Sequence, residues 1–310
     1  MTTLNASPGA APARGARAYA AQSRVASWVM LAPFLALFGV FVLYPLTTSV
    51  VLSTQQTFGP GTAVPVGAGN FKALSQDPLF WTALRNTVVF TLGSVFIQLP
   101  LALLLAMALN HPRLRGRAIA RMIIFSPVLV GVVFVAMIFS VLFNKQNGLI
   151  NVGLHSLFPA WSLDFAWLQT YVMAALIVAT LWQYVGYNMI YFLAALQNVS
   201  PELREAAHLD GAGPLSRFRH VIIPAIKPVA VFVVLLSIVG SFQLFELPYI
   251  LLEGTAGPDN RGLTLVMYLY QTGFQTGDLG YASAIGWVMA IVLGGCAIGQ
   301  YLFGRREAAR

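Results

Sequence analysis

Charged side chains are scarce in this sequence. Asp, Glu, Lys and Arg make up only 9% of its 310 residues, while 58% of the residues are hydrophobic. In soluble domains about 25% of the residues are charged. The composition therefore excludes an ordinary soluble domain and predicts a protein that crosses a membrane several times.

Residues that form disulfides or hold metals are equally few. The single cysteine, Cys296, lies in an apolar run, which excludes a disulfide framework and a cysteine metal site. No two of the four histidines stand at a metal-ligand spacing, and no nucleophile, base and orienting acid can be grouped from the sequence. We therefore predict that the chain is not an enzyme and holds neither a metal nor a cofactor. An integral membrane enzyme with a catalytic cluster at one interface is the alternative from another class.

Lysine is rare as well, and its positions exclude one way of binding ATP. A phosphate-binding loop ends in a Gly-Lys pair at a glycine-rich turn. The three lysines, Lys72, Lys145 and Lys227, follow Phe, Asn and Ile. If the protein carries out active transport, another subunit must bind the ATP.

Six apolar runs are long enough to cross a bilayer, for which about 20 residues are needed. The predicted spans are 26–52, 86–109, 120–143, 171–196, 228–251 and 280–303. They form one transmembrane domain at 25–304. Residues 1–24, rich in Ala, Pro, Ser and Arg, are predicted to be a disordered cytoplasmic tail, and residues 305–310 a second cytoplasmic tail.

The basic residues indicate the side of the membrane on which each loop lies. Of the 18 Lys and Arg residues, fourteen lie in the two tails and in the loops at 110–121 and 201–227, and four lie in the alternate loops. Because loops rich in Lys and Arg stay in the cytoplasm, both termini and loop 201–227 are predicted to be cytoplasmic. This bias accounts for the net charge of +8 without nucleic acid. We expect the loop at 110–121 to contact anionic membrane lipid.

Loop 201–227 is a polar segment of mixed charge between two apolar runs, so a soluble partner can meet the protein there. Its sequence predicts two short helices and a hinge. Pro201 suits the first position of the first helix, and Gly211 lets the backbone leave that helix through a positive φ. Pro214 begins the second helix, which Pro224, with another proline four residues later, is expected to end.

The residue spacing of this loop resembles the EAA loop of the permease subunits of ATP-binding-cassette importers. The resemblance is carried by Glu-Ala-Ala at 205–207, then Gly211, then nine residues to a Val-Ile-Ile-Pro sequence. In that family the loop forms a coupling helix that docks in a cleft of a cytoplasmic ATPase subunit. The coupling residues that the resemblance implies are Glu205, Ala206, Ala207, Asp210, Gly211, Phe218 and Pro224. An ordinary amphipathic connector is the alternative.

Polar residues inside the predicted spans are few, and each is costly in hydrocarbon unless it has a partner. Gln183 and Tyr187 are four residues apart and share one helical face. Gly240, Gln243 and Glu246 recur every three residues in the span that follows the loop. Amides and carboxylates bind pairs of sugar hydroxyls, and aromatic rings pack on the apolar faces of sugar rings. Contacts between membrane helices are the alternative role for such residues.

In the family, the solute pocket lies near mid-membrane between the two helices that flank the coupling loop. The pocket residues that the resemblance implies are Gln183, Tyr184, Tyr187, Gly240 and Gln243. Glu246 is a further candidate, although its distance from the start of its span places it near the outer interface. There, a salt bridge with Arg85 or Arg261 is the alternative to ligand contact.

Further segments, among them 69–71 (Gly-Asn-Phe) and 280–284 (Gly-Tyr-Ala-Ser-Ala), resemble the branch of the family that includes the maltose and glycerol-phosphate permeases. The resemblance implies an all-α integral membrane protein with the six transmembrane helices of the type I importer permease fold. It implies a second, related permease subunit, two ATPase subunits that bind ATP, and an extracytoplasmic solute-binding protein. The expected solute is a mono- or oligosaccharide, and the expected location is the cytoplasmic (inner) membrane. Within transport, the rival hypotheses are a permease for a polyamine or an organophosphate and an ion channel.

Overall fold

The computed structural model describes residues 13–57, 63–111 and 114–308, and most of them are helical. The chain divides into two units, residues 1–52 and 53–310. Among the described residues, five helices are long and apolar enough to cross a membrane, and one bent pair of helices makes a sixth candidate span. These observations confirm the predicted fold class.

The described residues of the first unit form one continuous helical segment. It consists of α1 (Ala13–Phe38), a π-helical turn (Gly39–Leu43) and α2 (Tyr44–Ser53). The sequence predicts disorder over residues 1–24, but α1 already begins at Ala13. The remainder of that tail is helical because Ala and Arg, which dominate it, are among the best helix formers. Residues 1–12 lie outside the described part of the chain.

In its described residues, the second unit contains a small antiparallel β-hairpin in which Gln56 lies opposite Val64. Every other element is a helix or a helical turn. The elements in chain order are β1 (Gln55–Thr57), β2 (Ala63–Pro65), α3 (Gly69–Gln76), α4 (Pro78–Gly93), a π turn (Ser94–Gln98), α5 (Leu99–Asn110), α6 (Arg117–Phe125), a 3-10 turn (Ser126–Leu129), α7 (Val132–Leu142), α8 (Leu149–Leu157), α9 (Trp167–Thr170), α10 (Val172–Gln197), α11 (Pro201–Leu209), α12 (Pro214–Arg217), a π turn (Phe218–Ile222), α13 (Ile223–Phe242), α14 (Glu246–Leu251), a 3-10 turn (Pro258–Asn260), α15 (Leu265–Tyr270), a π turn (Gln271–Gln275) and α16 (Leu279–Ala308).

The third span is broken in the middle, where the sequence predicts one helix over 120–143. The helical segments Arg117–Leu129 and Val132–Leu142 meet at an angle of 98°. Pro127 tightens the chain into a 3-10 turn, and Val130 and Gly131 then adopt extended backbone angles. A proline inside a helix removes one backbone donor and clashes with the preceding turn, which explains the break.

The fifth span also departs from its prediction, 228–251. Its helix ends at Phe242, and α14 is a separate helix that begins at Glu246. The intervening residues are held in place because the buried Thr264 hydroxyl donates a hydrogen bond to the Leu244 carbonyl at 2.7 Å. The span therefore has an irregular stretch of backbone in the region where its polar residues lie.

Helix α10 is the centre of the second unit. It packs against α5, α13 and α6, and small residues such as Ala102 and Ala106 of α5 are fully buried at this contact. Small side chains let helix backbones approach closely, which is the usual way in which membrane helices associate. The polar residues of α10 are therefore held on a rigid support.

On the side of the membrane opposite loop 201–227, polar contacts fix the ends of the spans and the loops between them. Asp77 accepts hydrogen bonds from the hydroxyls of Tyr268 and Tyr281, the latter at 2.8 Å, and caps α4 through the Leu79 N–H at 2.8 Å. Burial raises the pKa of the Asp77 carboxyl, but these hydrogen bonds outweigh it, so the pKa lies below its ordinary value. Asp77, in its ionised carboxylate form, thus links α4 to α15 and α16.

Candidate functional site

A cavity of about 610 Å³ lies between α10, the end of α13 and the start of α14. Cavities of about 300–1,000 Å³ are typical of small-molecule sites. The irregular backbone between α13 and α14 forms part of its wall, since Gln243, Leu244 and Phe245 all line it. Irregular backbone at membrane depth is tolerated where it lines such a cavity.

All six residues predicted to bind solute line this one cavity. They are Gln183, Tyr184, Tyr187, Gly240, Gln243 and Glu246. The structure brings them together because α10 and α13 pack side by side. Their role in binding stays a prediction.

Several other polar residues that the sequence reasoning did not assign to the solute pocket also line the cavity. These are Ser94, Gln98, Thr180, Asn188, Ser237 and Ser241. Gln98 is the most informative of them, because it comes from the second span and is nearly fully buried. In the sequence, Gln98 stands out only as a polar residue inside an apolar run. No residue spacing indicates that it lies next to α10.

Gln183 is the most deeply placed polar residue of the cavity, with 2% of its surface exposed. Its Nε2 donates to the Val130 carbonyl at 3.1 Å, at the break of the third span. Its Oε1 is buried and has no hydrogen-bond partner in the described residues. A buried acceptor without a donor is costly, so this oxygen suits a hydroxyl donor from a bound molecule.

Gln243 and Glu246 are both exposed to the cavity. Gln243 makes no side-chain hydrogen bond among the described residues, so both ends of its amide are free for a ligand. The salt bridge considered for Glu246 is absent from the described residues, because Arg261 instead pairs with Asp259 at 3.2 Å and Arg85 pairs with no acid. Glu246 thus supplies the cavity with an unpaired carboxylate.

Glycine is required at Gly186, on α10 beside the cavity. A Cβ atom there would lie 1.9 Å from the Ile124 carbonyl oxygen and 2.8 Å from the Cα of Phe125. The backbone of α6 therefore touches the backbone of α10 at this point. The sequence reasoning missed this residue, because a close helix contact leaves no pattern within one helix.

We expect Gly186→Ala to prevent correct packing of α6 on α10. Overpacking typically costs about 1–3 kcal/mol, and here the obstacle is backbone that cannot rotate away. The melting temperature of the detergent-extracted protein, measured by fluorescence-detected size exclusion, should fall by at least several degrees. Gly240→Ala is the control, because its Cβ would meet nothing within 4 Å. Equal melting temperatures for the two variants would contradict this account.

The loop at 201–227 forms two helices joined at Gly211, as predicted. Gly211 has a φ of +73°, and the Ala212 N–H donates to the Ala207 carbonyl at 3.0 Å. This six-residue closure with a left-handed glycine is the Schellman arrangement that ends a helix. A Cβ at Gly211 would meet nothing within 4 Å, so only the backbone angle requires glycine here.

The predicted coupling residues differ in exposure. Glu205, Ala206 and Asp210 are exposed, whereas Phe218 is half-buried. Among the large apolar side chains of the described part of this loop, Leu209 and Leu215 are the most exposed, at 87% and 78%, and they lie on either side of the hinge. The sequence reasoning missed both, because their repeat spacing indicates a helix but not which face is left uncovered.

Pro224 does not end the second helix as expected, because the helix runs on from Pro214 to Phe242. The π turn at Phe218–Ile222 lies directly before the proline. A widened turn leaves room for the proline ring and accommodates the missing N–H. Loop 201–227 is therefore joined to the fifth span by continuous helix.

Comparison with known proteins identifies the family. Residues 98–305 match the family described as the binding-protein-dependent transport system inner membrane component. The chain is 37% identical to the lactose transport system permease protein LacF of Rhizobium radiobacter, with 91% of this chain and 95% of LacF covered. It is also 37% identical to the arabinooligosaccharides transport system permease protein AraP of Bacillus subtilis, with 94% and 92% covered.

A solved structure supports the same fold. A chain of a bacterial alginate ABC transporter, solved in complex with an alginate pentasaccharide-bound periplasmic protein, superposes with a TM-score of 0.79 at 22% identity and covers 92% of this chain and 96% of its own length. Its likeness supports the permease fold with several membrane spans. The family match and the two relatives show that this chain belongs to the family of binding-protein-dependent transport system inner membrane components.

Proposed function

We propose that this chain is the membrane-spanning permease subunit through which an ATP-driven importer passes a neutral sugar. The observation that carries the proposal is the cavity, in which amides, hydroxyls, a carboxylate and aromatic rings converge from α10, α13 and α14. Sugars need this combination, because each hydroxyl both donates and accepts hydrogen bonds while the ring faces are apolar. The relatives named for lactose and arabinooligosaccharides support the same class of solute.

The charge of the cavity favours a neutral solute over an acidic one. Among the described residues, no Lys, Arg or His lines it, and Glu246 supplies one negative charge. An acidic saccharide or an organophosphate would meet a like charge in a place of low dielectric, where such repulsion is strongest. We therefore infer that this chain differs in solute from the alginate transporter that it resembles in fold.

Loop 201–227 is the proposed contact with a cytoplasmic ATPase subunit. Two exposed leucines, Leu209 and Leu215, flank the hinge, and an apolar side chain that protrudes into water suits a pocket on a partner. The helix that continues from Pro214 to Phe242 provides a rigid path from this contact to the cavity. Closure of the ATPases on ATP would then move the wall of the cavity and alternate its access between the two sides.

The complete importer would contain partners that supply what this chain lacks. They are a second, related permease subunit, two ATPase subunits that bind ATP, and an extracytoplasmic solute-binding protein. The family description supports the binding-protein partner. The basic residues of both termini and of loop 201–227 favour a cytoplasmic location for these segments.

A polyamine permease is the second candidate, and one observation favours it. The Glu246 carboxylate lies in the cavity wall without an ion pair in the described part of the chain and could attract a cation. A linear polyamine carries several charges, however, and one carboxylate would leave most of them unpaired in the cavity. A neutral sugar leaves only that one carboxylate to be satisfied by hydroxyls.

The proposal is tested by uptake into proteoliposomes that contain the chain together with the subunits that co-purify with it from mild detergent. Labelled lactose and arabino-oligosaccharides are the neutral probes, alginate oligosaccharide and glycerol phosphate the acidic probes, and spermidine the cationic probe. We expect ATP-dependent accumulation of at least one neutral sugar and none of the acidic probes. Accumulation of spermidine alone would favour the second candidate. A chain that purifies without partners would contradict the importer.

A further inference from the structure

We propose that four aromatic side chains, Phe245, Tyr249, Tyr270 and Phe274, form a track along which an oligosaccharide extends out of the cavity. We call this set the aromatic track. The inference rests on the proposed import of a neutral sugar and adds two things to it. The solute has several sugar units, and residues outside the cavity contact those that do not fit inside.

The track is continuous from the cavity wall to the surface. Phe245 lines the cavity, and its ring centroid lies 5.1 Å from that of Tyr249 and 5.0 Å from that of Tyr270. The ring of Tyr270 stacks on that of Phe274 at 5.5 Å with an angle of 26° between the planes. Phe274 is 71% exposed, so the series ends in solvent or at the membrane interface. Phe274 lies at the ends of the spans that are on the side of the membrane opposite loop 201–227.

The outer two rings lie one helical turn apart. Tyr270 and Phe274 are four residues apart, a spacing that places two side chains on the same face of a helical segment, and their rings contact each other. The π turn at Gln271–Gln275, which lies between them, is closed by the Thr276 N–H, which donates to the Gln271 carbonyl at 3.0 Å. Such single π turns are rare and occur frequently at functional sites.

Packing within the protein does not account for Phe274. Burial of an apolar side chain stabilises a fold in proportion to the area removed from contact with the surroundings, and most of the surface of this ring remains uncovered. Phe274 instead presents a flat apolar surface next to the exposed amide of Gln275. Ring faces beside amide groups are the same combination that the cavity offers with Phe245 and Gln243.

Spacing and charge indicate what the track would bind. Adjacent rings lie 5.0–5.5 Å apart, the ordinary distance between packed aromatic rings, so they form one unbroken apolar surface on which the apolar faces of sugar rings can pack. No Lys or Arg belongs to the track, and the charged residue at its cavity end is the acid Glu246. A neutral oligosaccharide therefore suits it better than an acidic one.

The test measures uptake of arabino- and malto-oligosaccharides, from the disaccharide to the hexasaccharide, by the assembled transporter in proteoliposomes. Phe274→Leu keeps an apolar side chain but removes the flat ring, and Phe274→Trp keeps a ring. We expect Phe274→Leu to raise the KM for the longest sugar that the wild type takes up about tenfold, with little effect on the disaccharide. Phe274→Trp should restore the wild-type value.

Phe158→Leu is the matched control. Phe158 lies on the same side of the membrane and is 61% exposed, and no ring contact is found for it among the described residues. If this variant changes uptake as Phe274→Leu does, or if Phe274→Leu affects all sugar lengths equally, Phe274 is an interface anchor or contacts another subunit, and the track is wrong. Uptake of monosaccharides alone by the wild type would also overturn it. If the wild type takes up no sugar at all, the proposed function fails, and the track fails with it.

Discussion

Gly211→Val is expected to abolish uptake while the transporter still assembles and hydrolyses ATP. Valine at a φ of +73° is strained, since a left-handed backbone costs about 1–2 kcal/mol for an ordinary side chain and more for a β-branched one. The hinge would relax to a negative φ and lose the hydrogen bond from the Ala212 N–H to the Ala207 carbonyl. Leu209 and Leu215 would then no longer be presented together. The measurement is the ratio of ATP hydrolysed to sugar accumulated in proteoliposomes.

Two variants isolate the backbone angle as the cause. Gly213→Val makes the same change two residues away, where φ is −65° and a Cβ would also meet nothing within 4 Å. Gly211→Asn introduces a side chain that tolerates the left-handed conformation. Both should keep most of the uptake. Normal uptake by Gly211→Val would disprove the hinge, and equal loss in Gly213→Val would show that bulk, and not φ, matters.

The double substitution Tyr187→Ala with Gln243→Ala should nearly eliminate sugar uptake and leave assembly intact. Gln243 has no side-chain partner among the described residues, and the Tyr187 hydroxyl pairs only with that of Tyr191 at 2.9 Å, so little structure depends on either. If each contributes about 1–2 kcal/mol to binding the transported sugar, kcat/KM falls about 30- to 1000-fold. Uptake kinetics and size exclusion of the purified complex measure the two effects.

A control pair with the same chemistry lies away from the cavity. Gln197 is exposed at the end of α10, and Tyr301 is exposed near the end of α16. Alanine at both should leave uptake unchanged. If instead the cavity variants keep the wild-type KM and rate, Tyr187 and Gln243 only stabilise contacts between helices, which is the alternative that their residue types allow.

The sequence predicted the spans and six of the cavity residues because both depend on signals within short stretches of chain. An apolar run of sufficient length indicates a span wherever it occurs. A polar residue inside such a run stands out, and helical spacing places Gln183 and Tyr187 on one face. The Gly-dependent hinge was predictable for the same reason, since a glycine that ends a helix needs no information from elsewhere in the chain.

The breaks in the spans were not predictable in the same way. Pro127 interrupts the third span, whereas Pro224 lies within a continuous helix behind a π turn. The same residue type therefore has two outcomes, and the local turn distinguishes them: a 3-10 turn contains Pro127, and a π turn precedes Pro224. Gln98 and Gly186 depend on contacts between spans that are far apart in sequence, so no local pattern marks them.

The bend in the third span bears on how this protein completes its fold in the membrane. The extended backbone between Arg117–Leu129 and Val132–Leu142 cannot satisfy its polar groups within one helix, so they need partners from other spans. The carbonyl of Val130 at the bend has its partner in Gln183, which is synthesised later. The hydrogen bond at the bend therefore forms only once α10 has packed beside the third span, so the final geometry of this segment depends on a helix that follows it in the chain.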